Sequence, residues 1–189
     1  IKRSNPDFVA VEVINTILGG RFTSWLNDEL RVNTGLTYGA RSNFSPLKSA
    51  GTFQISTFTA TKNTEAAMDK ALEVYNRLHA KGIDENTLTS AKNYVKGQFP
   101  PRYETAGQLA SLLTQMHWYG FDESFINNFQ KTVDSLTVDK AKAIVAQYFP
   151  KNNLQFVMIG KAEDVRKIAA KYGKVTEVQI KDDGVVKAF

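Results

Sequence analysis

The spacing of hydrophobic residues along the chain alternates between two periods. Apolar side chains recur every three or four residues in most of the chain, which predicts helices, and alternate with other residues in a few short stretches, which predicts strands. Helices are predicted over 8–18, from Thr23 or Ser24 to about 33, and on apolar faces that begin at Met68, Leu88, Ala106, Phe125, Val138 and Val165. Strands are predicted over 36–44, 51–60, 154–159 and 175–180.

The order of these elements predicts the fold class. Helices come first, followed by a hairpin, a block of helices and a strand–helix–strand ending, which suits an α+β fold in which helices cover a mostly antiparallel or mixed sheet. We find no internal repeat and no linker in the 189 residues. Because a domain commonly has about 100 to 200 residues, 1–189 is predicted to be a single domain.

Local signals mark where several elements begin and end. Ser4-Asn5-Pro6-Asp7 is a typical helix opening, with capping side chains, a proline and an acidic residue at the positive end of the helix dipole. Gly19-Gly20 is expected to end the first helix through a left-handed residue and to act as a hinge between two helices. Pro100-Pro101 is expected to break a later helix.

Composition limits the chemistry that the chain can perform alone. The sequence is 42% hydrophobic and 23% charged, as in ordinary globular proteins, and it contains no cysteine. Thiolate zinc sites, iron–sulfur clusters, disulfides and cysteine nucleophiles are therefore excluded. The two histidines, His79 and His117, belong to no helical metal-binding motif, so neither is predicted to bind a metal. An independent histidine-based enzyme is disfavoured.

The net charge of +5 does not indicate a nucleic-acid partner. Lysines and arginines are spread over the whole sequence, whereas phosphate binding needs a basic stripe or patch. No apolar run approaches the ~20 residues that span a bilayer. The sequence starts at Ile1, close to a helix opening, and we expect it to be a fragment of a longer two-domain chain.

The stretch from Leu18 to Tyr38 carries a specific pattern. It reads Leu18-Gly19-Gly20-Arg21-Phe22-Thr23-Ser24-Trp25-Leu26, then Leu30-Arg31, then Gly35-Leu36-Thr37-Tyr38. This pattern resembles the carboxy-terminal, non-zinc half of the insulinase, pitrilysin and mitochondrial processing peptidase family, which are inverzincin-type zinc peptidases. The resemblance implies the metallopeptidase-half fold over most of the chain.

Two departures from the family pattern affect what the resemblance implies. Trp25 stands where the family usually carries arginine, so the resemblance implies the fold but does not establish a contact from that position. Family domains also open with strands before the helix at Pro6-Asp7, and we expect the sheet of this sequence to lack those first strands.

The resemblance implies a divided active site. A homologous amino-terminal half, as a domain or a separate subunit, would carry zinc on a His-x-x-Glu-His helix, and no cofactor is expected in this chain. Arg31 and Tyr38 match the arginine and tyrosine that the carboxy-terminal half contributes to that zinc site. A phenol can donate a hydrogen bond to a developing oxyanion, and a guanidinium offers a fork of donors to a peptide. The expected ligand is a peptide in a chamber between the halves.

Other interpretations of the same residues stay open at this point. Tyr38 shares an alternating strand face with Leu36, Ala40 and Phe44 and would then be a core aromatic residue. Arg31 is within helical reach of Asp28 and would then form an exposed ion pair. For the whole chain, the alternative is a catalytically inert scaffold or interaction domain of the same fold, and self-association is left open.

Overall fold

The computed structural model describes residues 1–181 and 184–187, and the side chains of residues 1–179. Helices form most of the described chain, and two strand pairs accompany them. The helices are α1 (Phe8–Asn15), α2 (Trp25–Asn27), α3 (Thr64–Ala80), α4 (Glu85–Gln98), α5 (Ala106–Tyr119), α6 (Ser124–Asn127), α7 (Phe129–Asp134), α8 (Val138–Tyr148) and α9 (Ala162–Ala169). The strands are β1 (Thr37–Pro46), β2 (Gly51–Thr59), β3 (Val178–Lys181) and β4 (Gly184–Lys187).

Short helical turns of other types extend these elements. α1 continues as a π-helical turn over Thr16–Gly20, and α2 continues in the same way over Asp28–Asn33. Turns of 3₁₀-helix cover Thr61–Asn63 and Pro100–Tyr103, so the proline pair ends α4 where the sequence predicts a break.

The strands form two separate antiparallel pairs. β1 pairs with β2, and β3 pairs with β4. The α+β prediction is confirmed: the fold is mostly helical with a small antiparallel sheet.

The core lies between α1, the inner face of the β1–β2 hairpin, α3, α4 and α8. α1 contributes fully buried aliphatic residues, because nearly every side of this helix meets another element. Phe44 of β1 and Phe53 of β2 pack on Phe149, with ring centroids 5.1 and 5.5 Å away, and Phe53 stacks on Tyr75 at 5.6 Å. These aromatic contacts fix which face of the hairpin is buried.

The predicted strand over 154–159 is wrong. None of its backbone groups hydrogen-bonds to the described part of the chain, so no strand ladder forms there. Its side chains still alternate, because Leu154 and Met158 are half-buried whereas Val157 and Ile159 are 85% and 84% exposed. The segment has the alternating pattern of a strand but forms none, because the described residues supply no neighbouring strand for it to pair with.

The predicted role of Gly19-Gly20 is also wrong in its details. Neither glycine has a positive φ, and the helix passes through them as a π-helical turn. Gly19 instead allows a close approach to β1, since a Cβ there would lie 2.2 Å from the backbone nitrogen of Ser42. At the predicted helix opening, Asp7 forms no side-chain cap, and the Asn5 side chain accepts a hydrogen bond from the Asp7 N–H at 2.8 Å.

No helix among the described residues is long and apolar enough to cross a membrane.

Candidate functional site

Arg31 and Tyr38, the two predicted site residues, lie side by side on the surface. The guanidinium carbon of Arg31 is 4.4 Å from the centroid of the Tyr38 ring and 4.9 Å from that of the Phe22 ring. The cation thus contacts two aromatic rings, and we call Phe22, Arg31 and Tyr38 the arginine stack. At exposed positions a cation–π contact contributes about 0.5–1 kcal/mol, enough to favour one arrangement of the side chains.

Two buried leucines position Arg31. Leu26 and Leu30 are fully buried, which fixes α2 and its π-helical extension against the core and leaves the neighbouring Arg31 near the surface. The chain then reverses at Gly35, whose φ of +61° favours glycine. A backbone hydrogen bond of 2.8 Å from the Leu36 N–H to the Leu30 carbonyl closes this reversal. The turn therefore brings the following strand back beside Arg31.

A β-bulge at the start of β1 positions Tyr38. The pairing with β2 shifts register between Thr37 and Ala40. The Thr37 hydroxyl donates to the Phe58 carbonyl at 2.5 Å and accepts from the Gly39 N–H at 3.1 Å, which holds the bulge together. Because a bulge changes which residues face the core, Thr37 and Ala40 are buried while Tyr38 faces solvent.

Asn27 connects the segment that carries Phe22 to the strand that carries Tyr38. Its buried side chain donates to the Phe22 carbonyl at 2.7 Å and accepts from the Ala40 N–H at 3.4 Å. One amide group thereby bonds to both segments that contribute rings to the arginine stack. Buried polar groups are costly to leave unpaired, so this link resists separation of the two segments.

The interpretation of Tyr38 as a core residue is wrong, because 85% of its surface is exposed. Phe22 and Phe58 are 64% and 92% exposed near the same end of the hairpin. The Tyr38 hydroxyl makes no hydrogen bond within the part of the chain that the structure describes. An exposed group of apolar residues is a common sign of a binding surface.

The predicted ion pair between Arg31 and Asp28 does not form. Within residues 1–179, Arg31 makes no salt bridge, and its guanidinium lies against aromatic rings instead. The neighbouring Glu29 accepts from Arg77 at 2.9 Å and from Asn33 at 3.2 Å. These hydrogen bonds, that of Asn33 first and that of Arg77 next, lower the pKa of the Glu29 carboxyl.

Trp25, which replaces the arginine of the family pattern, forms a second cluster with Arg77 and Glu29. The guanidinium carbon of Arg77 lies 4.6 Å from its ring centroid, and Arg77 pairs in turn with Glu29. The three residues line an open, polar groove with Asp28 and Asn33. This cluster holds α2 to α3.

No metal-binding group is present among the described residues. They contain no cluster of three or more histidine, cysteine, aspartate or glutamate side chains that could hold an ion. His79 lies in the last turn of α3 with its ring 5.2 Å from that of Tyr75, and His117 is exposed at the end of α5. The donor set of the described residues therefore does not fit a catalytic zinc.

The site offers hydrogen-bond donors and aromatic surface. Arg31 has several N–H donors and Tyr38 one O–H, while Phe22 and Phe58 add apolar area. Such a set can bind carbonyl or carboxylate oxygens and large side chains of a peptide.

Three contributors were not identified from the sequence alone. In the sequence, Phe22 stands out only as part of the motif, and no pattern singles out Asn27. Phe58 could have been found, since it is out of phase with Phe53 and Ile55, the inward-facing residues of β2.

Comparisons with known proteins agree on one family. Residues 2–95 match the family model described as the peptidase M16 inactive domain. The non-peptidase homolog YmxG of Helicobacter pylori is 24% identical over 161 residues, which cover 84% of this chain and 37% of that protein.

Two solved structures show the same fold. The peptidase M16 inactive domain from Pseudomonas fluorescens matches with a TM-score of 0.71 and 30% identity, over 78% of this chain and 35% of that one. A protease from Helicobacter pylori matches with a TM-score of 0.69 and 21% identity, over 79% of this chain and 36% of that one. The chain thus spans little more than a third of the length of these relatives.

Proposed function

The chain belongs to the M16 peptidase family of insulinase and pitrilysin as its inactive domain, and from that premise we propose that Arg31 and Tyr38 serve a zinc site in a partner half. The partner is a homologous zinc-bearing amino-terminal domain or subunit, and together the two halves form a two-domain unit. This chain supplies one wall of the peptide chamber. Its much longer relatives support a larger assembly.

The observation that carries the proposal is the placement of two donors side by side at the surface, with Tyr38 exposed and Arg31 half-buried. A peptide carbonyl that approaches this surface meets the Tyr38 hydroxyl, which has no hydrogen-bond partner in the described chain. A preorganised donor to a carbonyl oxygen that gains negative charge stabilises the transition state by roughly 3 kcal/mol. Tyr38 is thereby assigned as the donor to the oxyanion.

Arg31 is assigned to hold the peptide. Its planar guanidinium can donate two parallel hydrogen bonds to a carboxylate or bridge successive carbonyls. The rings of Phe22 and Tyr38 restrict the guanidinium before the peptide arrives, so less side-chain entropy is lost on binding. The chemistry of water activation is assigned to the partner half, because the described residues contain no group of side chains that could hold a metal ion.

The test is to combine this chain with a zinc-bearing amino-terminal half and follow cleavage of a fluorogenic peptide. Tyr38→Phe keeps the ring under Arg31 and removes the hydroxyl alone, so kcat should fall by about a hundredfold, as for loss of one oxyanion donor. Tyr94→Phe is the matched control: Tyr94 is also partly exposed, and its ring lies below Arg21. Unchanged turnover by Tyr38→Phe would show that the assigned role is wrong.

A second candidate function is a catalytically inert scaffold or interaction domain of the same fold. It is favoured by one observation, the similarity to YmxG, which is named a non-peptidase homolog. The gene sequence distinguishes the two functions. A His-x-x-Glu-His motif encoded in the same reading frame or in a neighbouring one supports the peptidase function. Its absence from both, together with no cleavage in the assay above, supports the scaffold.

A further inference from the structure

The bulge in β1 leaves Tyr38 outside the regular pairing of the hairpin. The pairs with β2 stop at Thr37 and resume at Ala40. In between, Tyr38 and Gly39 together lie opposite a single residue of β2. Because the extra residue of a bulge disrupts the hydrogen-bond ladder, backbone pairing alone does not fix the direction of the Tyr38 side chain.

The Tyr38 side chain makes few contacts that could hold it. Its surface is 85% exposed, and its hydroxyl has no hydrogen-bond partner in the described chain. Its ring contacts the guanidinium of Arg31 at 4.4 Å, but that group sits at the end of a long, flexible side chain. The position of the phenol therefore depends mainly on the backbone on either side of Tyr38.

The hydroxyl of Thr57 bonds to both residues that flank Tyr38 in the sequence. Thr57 Oγ1 lies 2.8 Å from Thr37 Oγ1 and 3.0 Å from the Gly39 carbonyl oxygen, so its proton can go to either acceptor. The Thr37 hydroxyl donates in turn to the carbonyl of Phe58 on β2. These hydrogen bonds connect the bulge to β2 where the backbone ladder is interrupted.

The inward face of β2 changes from apolar to hydroxyl-bearing as the strand approaches the site. Phe53 and Ile55 face the core, whereas Thr57 and Thr59 follow at the next two inward positions. The Thr59 hydroxyl donates to the Leu36 carbonyl at 2.6 Å. A hydroxyl in such a position costs stability unless it is hydrogen-bonded, and valine would have nearly the same shape. The threonines thus suit a local hydrogen-bonding role better than core packing.

We propose that Thr57 is a positioning residue for Tyr38. Through the Thr37 hydroxyl and the Gly39 carbonyl, the Thr57 hydroxyl fixes the bulge and with it the phenol that donates to the oxyanion. Such a donor acts only when it is in place before the reaction, and a misplacement of about 1 Å can lower the rate about a hundredfold. The inference rests on the proposed function, because it concerns the donor assigned there.

The first experiment measures cleavage of the fluorogenic peptide by this chain together with a zinc-bearing half. Thr57→Val keeps the shape of the side chain and removes the hydroxyl, so kcat should fall about tenfold, with a smaller change in KM. Thr57→Ser retains the hydroxyl and should keep kcat within about twofold of the wild type. Unchanged kcat in Thr57→Val, or an equal loss in Thr57→Ser, would overturn the proposal.

Thr52→Val is the matched control for the loss of a threonine hydroxyl from β2. Thr52 is exposed near the other end of the strand, where it pairs with Ser45, far from the bulge in sequence. Its substitution should leave kcat unchanged. A loss as large as that of Thr57→Val would attribute the effect to the hairpin in general and would contradict the positioning role.

A double-mutant cycle tests whether Thr57 acts through the phenol. The Tyr38→Phe background has no phenol hydroxyl to position, so Thr57→Val should lower kcat there by less than about twofold. A tenfold loss in both backgrounds would show that Thr57 acts by another route, and the proposal would be wrong.

Nuclear magnetic resonance of this chain alone gives a readout that needs no zinc-bearing half. The Arg31 side chain lies against the rings of Phe22 and Tyr38, so ring currents should shift its proton signals upfield. Thr57→Val should move these signals towards those of an unstructured arginine, and Thr57→Ser should not. Arg31 signals that stay in place in Thr57→Val, or signals of α3 and α4 that move as much, would overturn the proposal.

These outcomes separate the inference from the proposed function. If Thr57→Val moves the Arg31 signals but Tyr38→Phe leaves turnover unchanged, the bulge is held as described and only the catalytic role of Tyr38 is wrong. If Tyr38→Phe lowers turnover but Thr57→Val changes neither the Arg31 signals nor kcat, only the positioning role of Thr57 is wrong.

Discussion

Gly19 allows the end of the first helix to approach β1 more closely than any other residue would permit. A Cβ at this position would lie 2.2 Å from the Ser42 backbone nitrogen and 2.5 Å from its Oγ. Since backbone atoms in a paired strand cannot move aside cheaply, Gly19→Ala should lower the free energy of unfolding by about 1–3 kcal/mol. Urea-induced unfolding followed by circular dichroism measures the change.

Gly97→Ala is the control for this substitution. Gly97 lies in α4, has open space around its Cα and lacks a positive φ. Alanine there should raise the free energy of unfolding by about 0.5–1 kcal/mol, because it restricts the unfolded chain. If Gly19→Ala stabilised the protein as Gly97→Ala does, the close contact with β1 would be wrong.

His79 makes stability depend on pH. Its Nε2 is buried without a hydrogen-bond partner in the described structure. Desolvation, and secondarily the charge of Lys151, lower the pKa of His79 below 6.5. The unfolded state therefore takes up this proton more readily, and stability present above pH 6.5 is lost as the pH falls through the folded-state pKa.

The measurement is the free energy of unfolding between pH 7.5 and the acidic side of neutrality. The wild type should lose stability over this range, and His79→Gln should show a smaller slope because the titrating ring is gone. His117→Gln is the matched control, since it removes the other histidine, which is exposed on α5. A slope that survives His79→Gln would place its source in another group.

At the scale of elements, the side chains of residues 154–159 alternate as in a strand, but their backbone pairs with no other strand in the described structure. Their amides make no backbone hydrogen bond in the described structure, so they should exchange with deuterium nearly as fast as in an unstructured peptide. The alternate amides of β1 between Ala40 and Phe44 that hydrogen-bond to β2 should exchange much more slowly. Mass spectrometry of exchanged peptides checks this, and equal protection of both segments would contradict the structure.

The same segment shows what element prediction can and cannot do. Alternation correctly indicates which of its residues face the protein, because side-chain direction is a local property. Whether it joins a sheet depends on another strand, which its own residues do not specify. In the same way, the alternation at Leu36–Phe44 predicts a strand correctly but misplaces Tyr38, because the bulge depends on hydrogen bonds from Thr37 to β2.

At the scale of the whole molecule, the order of elements is enough to predict the α+β class, and a short motif is enough to identify the family. The periodicity of α1, α3, α4 and α8 also identifies the core, since their apolar faces are the ones that become buried. Of the candidate site, the motif predicts Arg31 and Tyr38, and their catalytic role stays a prediction. Their stacking with Phe22 and the link through Asn27 depend on how two segments pack, which spacing alone does not contain.

The proposed division of the active site between two halves has a consequence for the isolated chain. The described residues contain no cluster of three metal-ligating side chains, so we expect their folding not to require a bound ion. Added zinc or a chelator should therefore leave the melting temperature unchanged, whereas a ligand that binds only the folded state would raise it. In a mixture with a zinc-bearing half, the same chelator should abolish peptide cleavage without unfolding this chain. A chelator-dependent fall in the melting temperature of the chain alone would contradict the assignment of the metal to the partner, because it would require ligands within these 189 residues.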